Sequence, residues 1–305
     1  MEPVVMKNSI TIEGTKFVEN YTFKSGHVVP IYEVFNVFGL NQIIGYVKLI
    51  NSGYGKVFYR GQCSLHDNML PSLYHKSQTP KFINNRNRKL NKIIKNALRD
   101  KMLAKETRLA ETDLFADKII EGMLQHYGIN TRCIDAVDNH WVALWFGLNK
   151  CSTKRIGEID YATYSSRLIN EYQMLDNTDS IYQYLILIAA DMGTEISGVI
   201  DGKDILTIDL RIALPSTFLR PHAQHGIVLR RKLHTADSNY DISNNVVSIL
   251  KIRNDLADKW LGNGELVKFN NLFPSQFHDH AYSFLLERQD LFCDTTNSIV
   301  QYIYE

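Results

Sequence analysis

The sequence predicts an α+β protein, a mixed sheet core flanked by helices, on three observations. The run Tyr184–Ala190 is continuously apolar, the mark of a central strand covered on both faces. Three earlier stretches carry apolar residues at helical rather than alternating spacing. No internal repeat, Pro- or Ser-rich linker or low-complexity tract divides the 305 residues, and seven prolines give little punctuation, so one body is expected. A hydrophobic fraction of 45% with 22% charged residues is enough to bury a core and excludes global disorder.

The elements follow in order. Ser9–Phe23 alternates loosely through Ile10, Ile12, Phe17, Tyr21 and Phe23 and reads as one or two strands. Ile31–Ile50 has helical spacing from Val34 to Ile50, interrupted at Gly39-Leu40-Asn41. Ser52-Gly53-Tyr54-Gly55 breaks that pattern, and Lys56–Tyr59 follows as a short strand. Leu90, Ile93, Ile94, Ala97 and Leu98 recur at i, i+3, i+4, i+7 and i+8, an amphipathic helix within 81–108. Asp113–Tyr127 is a second helix, with Leu114, Ile119, Ile120 and Met123 on one side, Thr112 or Asp113 as N-cap and Gly128 as the C′ glycine. Val137–Asn149, dense in large apolar groups, is a third and buried one. Ile205–Leu210 and Gly226–Leu229 read as further strands, and Val246–Lys259 and Gln276–Leu286 as helices. The expected division is a strand and helix extension over 1–55, a principal domain over 56–290 and a tail over 291–305.

Several function classes drop out. No apolar run reaches the ~18–20 residues that span a bilayer, and Met1–Glu19, with Glu2 and Glu13, does not read as a secretory signal. Cys63, Cys133, Cys151 and Cys293 lack C-x-x-C spacing, so a reducing compartment, the cytoplasm, is expected. The net charge of +1 makes the whole molecule no polycation, yet Lys81–Arg108 holds ten Lys or Arg against two acids. Arg86, Arg88, Lys89, Lys92, Lys95 and Arg99 are therefore candidate nucleic-acid contacts through counterion release. A solvated helix face or an acidic protein partner fits the same charge.

Four motifs stand out: Phe58-Tyr59-Arg60-Gly61-Gln62 with Leu70–Leu73 behind it; Gln125-His126-Tyr127-Gly128 through Thr131, Arg132 and Asp135 into Val142–Phe146; Arg220–Gly226; and Leu272–Ser275. Read as chemistry, Arg60 beside Gly61 is a fork suited to a pyrophosphate or carboxylate, or else paired with a buried carboxylate such as Asp135. His126 is a helix C-terminal cap or an acid–base group, and Tyr127 an aromatic face. Thr131, Arg132 and Asp135 turn the chain toward the buried helix, and an Arg132–Asp135 pair there is a fold lock or else a ligand contact. His222 and His225 make a metal pair only on a helix; Pro221 argues for a loop, and no metal is expected. Gln224 ahead of Gly226 is suited to holding a ribose hydroxyl.

In order and spacing these motifs resemble the FRG domain family over about residues 56 to 290. The resemblance implies a distant relation to the ADP-ribosyltransferases, which bind NAD in a cleft between two small sheets, and a setting in phage defence or a toxin–antitoxin module with a neutralising antitoxin. It places the first ADP-ribosyltransferase motif on Arg60 and the last near Gln224, where no E-x-E or Q-x-E stands. Arg60, His126 and Gln224 are then the expected catalytic set, and Tyr59, Gly61, Gln62, Tyr127, Thr131, Arg132, His222 and Gly226, with Arg60, the NAD contacts. Glu121, Glu158 and Asp191 are the candidates for a missing carboxylate. The expected function is an NAD-dependent toxin that modifies nucleic acid, RNA before DNA. The alternatives are a non-catalytic binding module and a metal-dependent nuclease built on His126, His222 and His225.

Overall fold

A computed structural model describes residues 2–77, 79–168, 181–232, 239–292 and 298–304; Cys293 lies outside them. The fold is α+β, a large mixed sheet flanked by helices. In chain order, β1 (Thr15–Thr22), β2 (Val28–Val34), α1 (Val37–Ile50) and β3 (Gly55–Gln62) lead to α2 (Pro80–Arg99), α3 (Lys101–Thr107) and α4 (Ala116–His126). Next come β4 (Ile134–Val137), α5 (His140–Leu148), β5 (Asn149–Ile156), β6 (Ile159–Ser166), β7 (Tyr182–Asp191), β8 (Gly193–Ile196), β9 (Val199–Gly202) and β10 (Ile205–Asp209). The last third holds α6 (Leu210–Ala213), α7 (Leu219–Ala223), β11 (Gly226–Arg231), β12 (Val246–Arg253), α8 (Asn254–Trp260), α9 (Phe269–Leu272), α10 (His280–Glu287), α11 (Gln289–Phe292) and β13 (Gln301–Tyr304).

Ten strands form one sheet in the order β1-β2-β12-β7-β3-β4-β11-β10-β9-β8, and β13-β6-β5 form a second. The apolar run of β7 behaves as its composition requires. Leu185, Leu187 and Ala189 face the core under α1, α5 and α8, while Ile186, Ile188 and Ala190 face a second core on the opposite side. A third core, between α2, α3, α4, α10 and the β9–β11 strands, buries Ile93, Ile94 and Ala97 of the amphipathic helix.

The join in the middle of the large sheet decides where a ligand fits. β3 pairs with β7 along all eight residues, Gly55 to Gln62. With β4 it shares one pair, Tyr59 with Val137. Beyond that pair the strands part, so the sheet consists of two five-strand halves hinged at a single position.

Four sequence expectations are corrected. Residues 246–253 are strand β12, buried between β2 and β7, and the helix begins at Asn254. An apolar run without clear periodicity fits a buried strand and a buried helix equally, and only the pairing partner separates them. The Ile31–Ile50 pattern is a strand followed by a helix. Asn36 caps α1 by accepting from the Gly39 N–H at 2.7 Å, so Gly39 lies in the first turn rather than in a break. Residue 115 caps α4 at φ +66°, leaving Leu114 exposed and outside the helix. Val137 belongs to β4, and α5 starts at His140 under an Asn139 cap. Strand β5 carries mostly exposed residues and β6 mostly half-buried ones, and neither gave an apolar signal. Residues 301–304 pair in parallel with β6.

Candidate active site

Where β3 and β4 part, a cleft of about 740 Å³ opens, in the range of roughly 300–1,000 Å³ that small-molecule sites occupy. Arg60 and Gln62 stand on the β3 lip and Asp135 and Ala136 on the β4 lip; the 63–70 loop closes one side and α5 another. Gly61 is required by packing. A Cβ there would overlap the Ala143 carbonyl, so its absence lets α5 lie directly on β3. Gly61 thus lines the cleft, but its missing side chain makes room for the helix and not for a ligand.

Arg60 is half-buried, and its Nη1 donates to the Asp135 main-chain carbonyl at 2.7 Å. No described carboxylate lies within ion-pair distance of it. Burial lowers its pKa, with Asp135 opposing the shift. The guanidinium is positioned by one bond and has no ion-pair partner among the described residues, the condition for binding an anion. Tyr59 also borders the cleft, but its ring packs in the core against His140 at 5.8 Å.

The long motif divides between cleft and core. His126, the last residue of α4, points into the cleft though only 7% exposed, with Nε2 3.7 Å from Asp135 Oδ1. Burial lowers the pKa of its imidazole; Asp135 opposes the shift and Arg220 adds to it. Tyr127, one position on, is fully buried. Its hydroxyl donates to Asp279 at 3.0 Å and its ring lies against Tyr282 and Arg220. It offers no face to a ligand, which corrects the sequence expectation. Arg132 does not contact the cleft either: its Nε and Nη2 meet both Glu121 oxygens, the closest at 2.6 Å. Burial alone would raise the Glu121 carboxyl, but Arg132 and Arg230 hold it below the usual carboxylate range. This is a fold lock with Glu121, not with Asp135. Thr131 is buried, and its hydroxyl donates to Gln125 Oε1 at 2.5 Å.

The Arg220–Gly226 segment divides in the same way. Gln224 reaches the cleft, but its Nε2 donates to the Leu272 carbonyl at 2.9 Å, which leaves Oε1 to face His126 or a ligand. His222 bonds the Phe218 carbonyl and His225 approaches Asp138 and Arg211, so neither joins His126. Among the described residues no three His, Cys, Asp or Glu side chains form a metal set. Gly226 serves the histidine, because a Cβ there would overlap the His126 ring. Arg220 is fully buried in a cage of Tyr127, Tyr282, Tyr302 and Phe273, with ring centres 4.3–5.7 Å from its guanidinium carbon.

Of the three candidate carboxylates none borders the cleft. Glu121 is locked, Asp191 accepts the Asp204 and Ile205 N–H groups, and Glu158 is exposed in the β5–β6 turn. The carboxylates at the cleft are Asp67 and Asp135. Sequence reasoning missed its aromatic wall of Phe146, Tyr164, Phe273 and Tyr302, where Phe273 and Tyr302 stack at 4.7 Å. These four come from α5, β6, β13 and the residue after α9, and no local pattern joins them. On α2, Arg88, Lys92, Lys95 and Arg99 are exposed, whereas Arg86 and Lys89 are half-buried. Arg86 lies over Phe82, and Arg99 is shared with Glu111. No described helix is long and apolar enough to cross a membrane.

Residues 55–155 match the family model described as FRG domain. The matched stretch includes Arg60, His126 and Asp135 and stops short of Gln224. No curated protein and no solved structure matches the chain.

Proposed function

We propose that this FRG-domain chain is an ADP-ribosyltransferase-like enzyme that takes NAD as substrate and modifies nucleic acid, RNA in preference to DNA. One observation carries the reading. The sheet splits between β3 and β4, and the split holds an arginine with no ion-pair partner among the described residues, a buried histidine and an aromatic wall in a space of dinucleotide size. A cleft between two sheets is the feature the family resemblance leads one to expect.

C–N cleavage of NAD needs an anchor for the pyrophosphate, a surface for the nicotinamide and groups that orient the ribose as positive charge develops. Arg60 supplies the anchor. Phe146 and Tyr302 replace Tyr127 as the stacking surface. Gln224 Oε1 and His126 face the ribose. An amide cannot take up a proton, so Gln224 orients and does not act as a base. The 63–75 loop that borders the cleft is followed by α2, whose exposed Arg88, Lys92 and Lys95 offer a phosphate-tracking face. The resemblance further suggests a toxin of a phage-defence module, held in check by an antitoxin.

The test is incubation with NAD labelled in the adenylate, together with total RNA, DNA and protein from a host cell. Label in RNA supports the reading. Label in DNA or protein corrects the acceptor. No consumption of NAD and no transfer, with salt-sensitive RNA binding intact, replaces the enzyme with a binding module.

A further inference from the structure

Among the residues that line the cleft, four buried polar atoms have no hydrogen-bond partner at bonding distance: the Tyr59 hydroxyl, Asp135 Oδ1 and both ring nitrogens of His126. His126 Nε2 and Asp135 Oδ1 face each other at 3.7 Å, too far for a good hydrogen bond. Leaving such atoms unpaired costs about 1–3 kcal/mol each, a cost that folded proteins concentrate at functional sites.

A relay from the same motif holds the carboxylate in place. Thr131 Oγ1 donates to Gln125 Oε1 at 2.5 Å, which fixes the amide orientation, and Gln125 Nε2 donates to Asp135 Oδ2 at 2.7 Å. One carboxylate oxygen is thus occupied and the other is turned toward His126. The groups acting on the imidazole are Asp135 from β4 and Gln224 from the turn after α7, which favour its protonated form, and Arg220 from α7, which opposes it. Burial and Arg220 favour the neutral ring, which accepts a proton.

We propose that Asp135 and His126 form the proton-accepting pair of this cleft and supply the carboxylate that the Gln224 position lacks. The proposal rests on the NAD reading above and names its acceptor-side chemistry. The bond between the nicotinamide nitrogen and the ribose carbon breaks, and its electron pair stays on nitrogen, so nicotinamide leaves neutral. A lone pair of the acceptor, a base nitrogen, a hydroxyl or water, forms the new bond to that carbon. The acceptor's proton then passes to the Asp135–His126 pair. Thr131 and Gln125 are positioning residues, because they act through Asp135.

The experiment measures nicotinamide release from NAD with water as acceptor, together with NAD affinity and melting temperature, for the wild type, Asp135→Asn and Thr131→Val. The asparagine variant is expected to bind NAD within about threefold of wild type and to lose about 10²–10⁴ in turnover. The valine variant should lose about tenfold in kcat with KM unchanged. Wild-type failure to release nicotinamide with water and also with host RNA, DNA and protein added as acceptors ends the reading beneath the proposal and the proposal with it. Wild-type turnover with Asp135→Asn within threefold of it overturns the pair and leaves the NAD reading standing. Loss of affinity with kcat unchanged reduces Asp135 to a binding contact and also overturns the pair. Should Asp135→Asn fail to fold, Thr131→Val decides: unchanged kcat overturns the proposal, and a tenfold fall at constant KM supports it.

Discussion

Arg60 at the split and Arg132 behind α4 are two arginines of the same region with opposite fates. Arg132 gives its fork to Glu121, whose side chain is fully buried, and the pair is closed. Arg60 has a main-chain carbonyl and no described carboxylate within ion-pair reach, and it borders a cavity. The contrast extends to the surrounding residues. Behind α4, the Tyr127 hydroxyl is bonded to Asp279, whereas in the cleft His126 and Asp135 keep atoms unpaired; Arg220, caged by rings between the two, also keeps Nε and Nη2 unpaired. A charge already paired within the fold has little left for a ligand; one held in place without an ion-pair partner has more.

The comparison is broken most forcefully at the lock. Glu121→Gln leaves Arg132 and the nearby Arg230 without their buried counter-charge, and a loss of about 3–5 kcal/mol is expected in denaturant unfolding. Arg60→Ala tests the other side: NAD turnover should fall by about 100-fold, roughly 2.7 kcal/mol, with a melting temperature close to wild type. A stability loss at Arg60 as large as that at Glu121 would erase the distinction between the two regions. Gly226→Ala pushes on the His126 ring and should cost about 1–3 kcal/mol in stability, with turnover reduced as the imidazole shifts.

Smaller effects sharpen the picture. Replacing Lys92 and Lys95 by alanine should weaken RNA binding a few-fold and reduce the slope of log affinity on log salt by about 0.7 for each phosphate that is no longer neutralised; an unchanged slope removes α2 from the interface. The smallest effect is a pH dependence. The folded state holds the His126 pKa below that of the unfolded chain, so the unfolded state binds more protons between the two values. Stability therefore decreases as pH falls below about 6.5, the ordinary histidine value, toward the lowered one. Urea titrations across that window should show the decline in wild type and a weaker one in His126→Asn.

Much of the site was legible. Arg60, His126 and Gln224 do meet in one cleft, although they lie far apart in the chain. Which of their neighbours join them was not. Tyr127 follows His126 by one position at a helix end, about 100° around the axis, which puts one ring in the cleft and the next in the core. Spacing cannot say which of the two points where until the helix is docked. The partner of Arg132 was misassigned for a related reason: Asp135 is near in sequence, but Glu121 on α4 lies on the buried side where the chain returns.

By itself the sequence determined β7, the amphipathic α2 with its basic face, the Gly128 stop after α4 and the motif set that points to an FRG domain. These rest on periodicity, composition and local backbone preference, which are short-range properties. Tertiary structure alone decided that 246–253 is a strand, that the last described residues supply Tyr302 to the cleft, and that β3 and β4 separate after one residue pair. Each of those depends on which segments become neighbours across long stretches of chain. Packing makes that choice, and local patterns do not encode it.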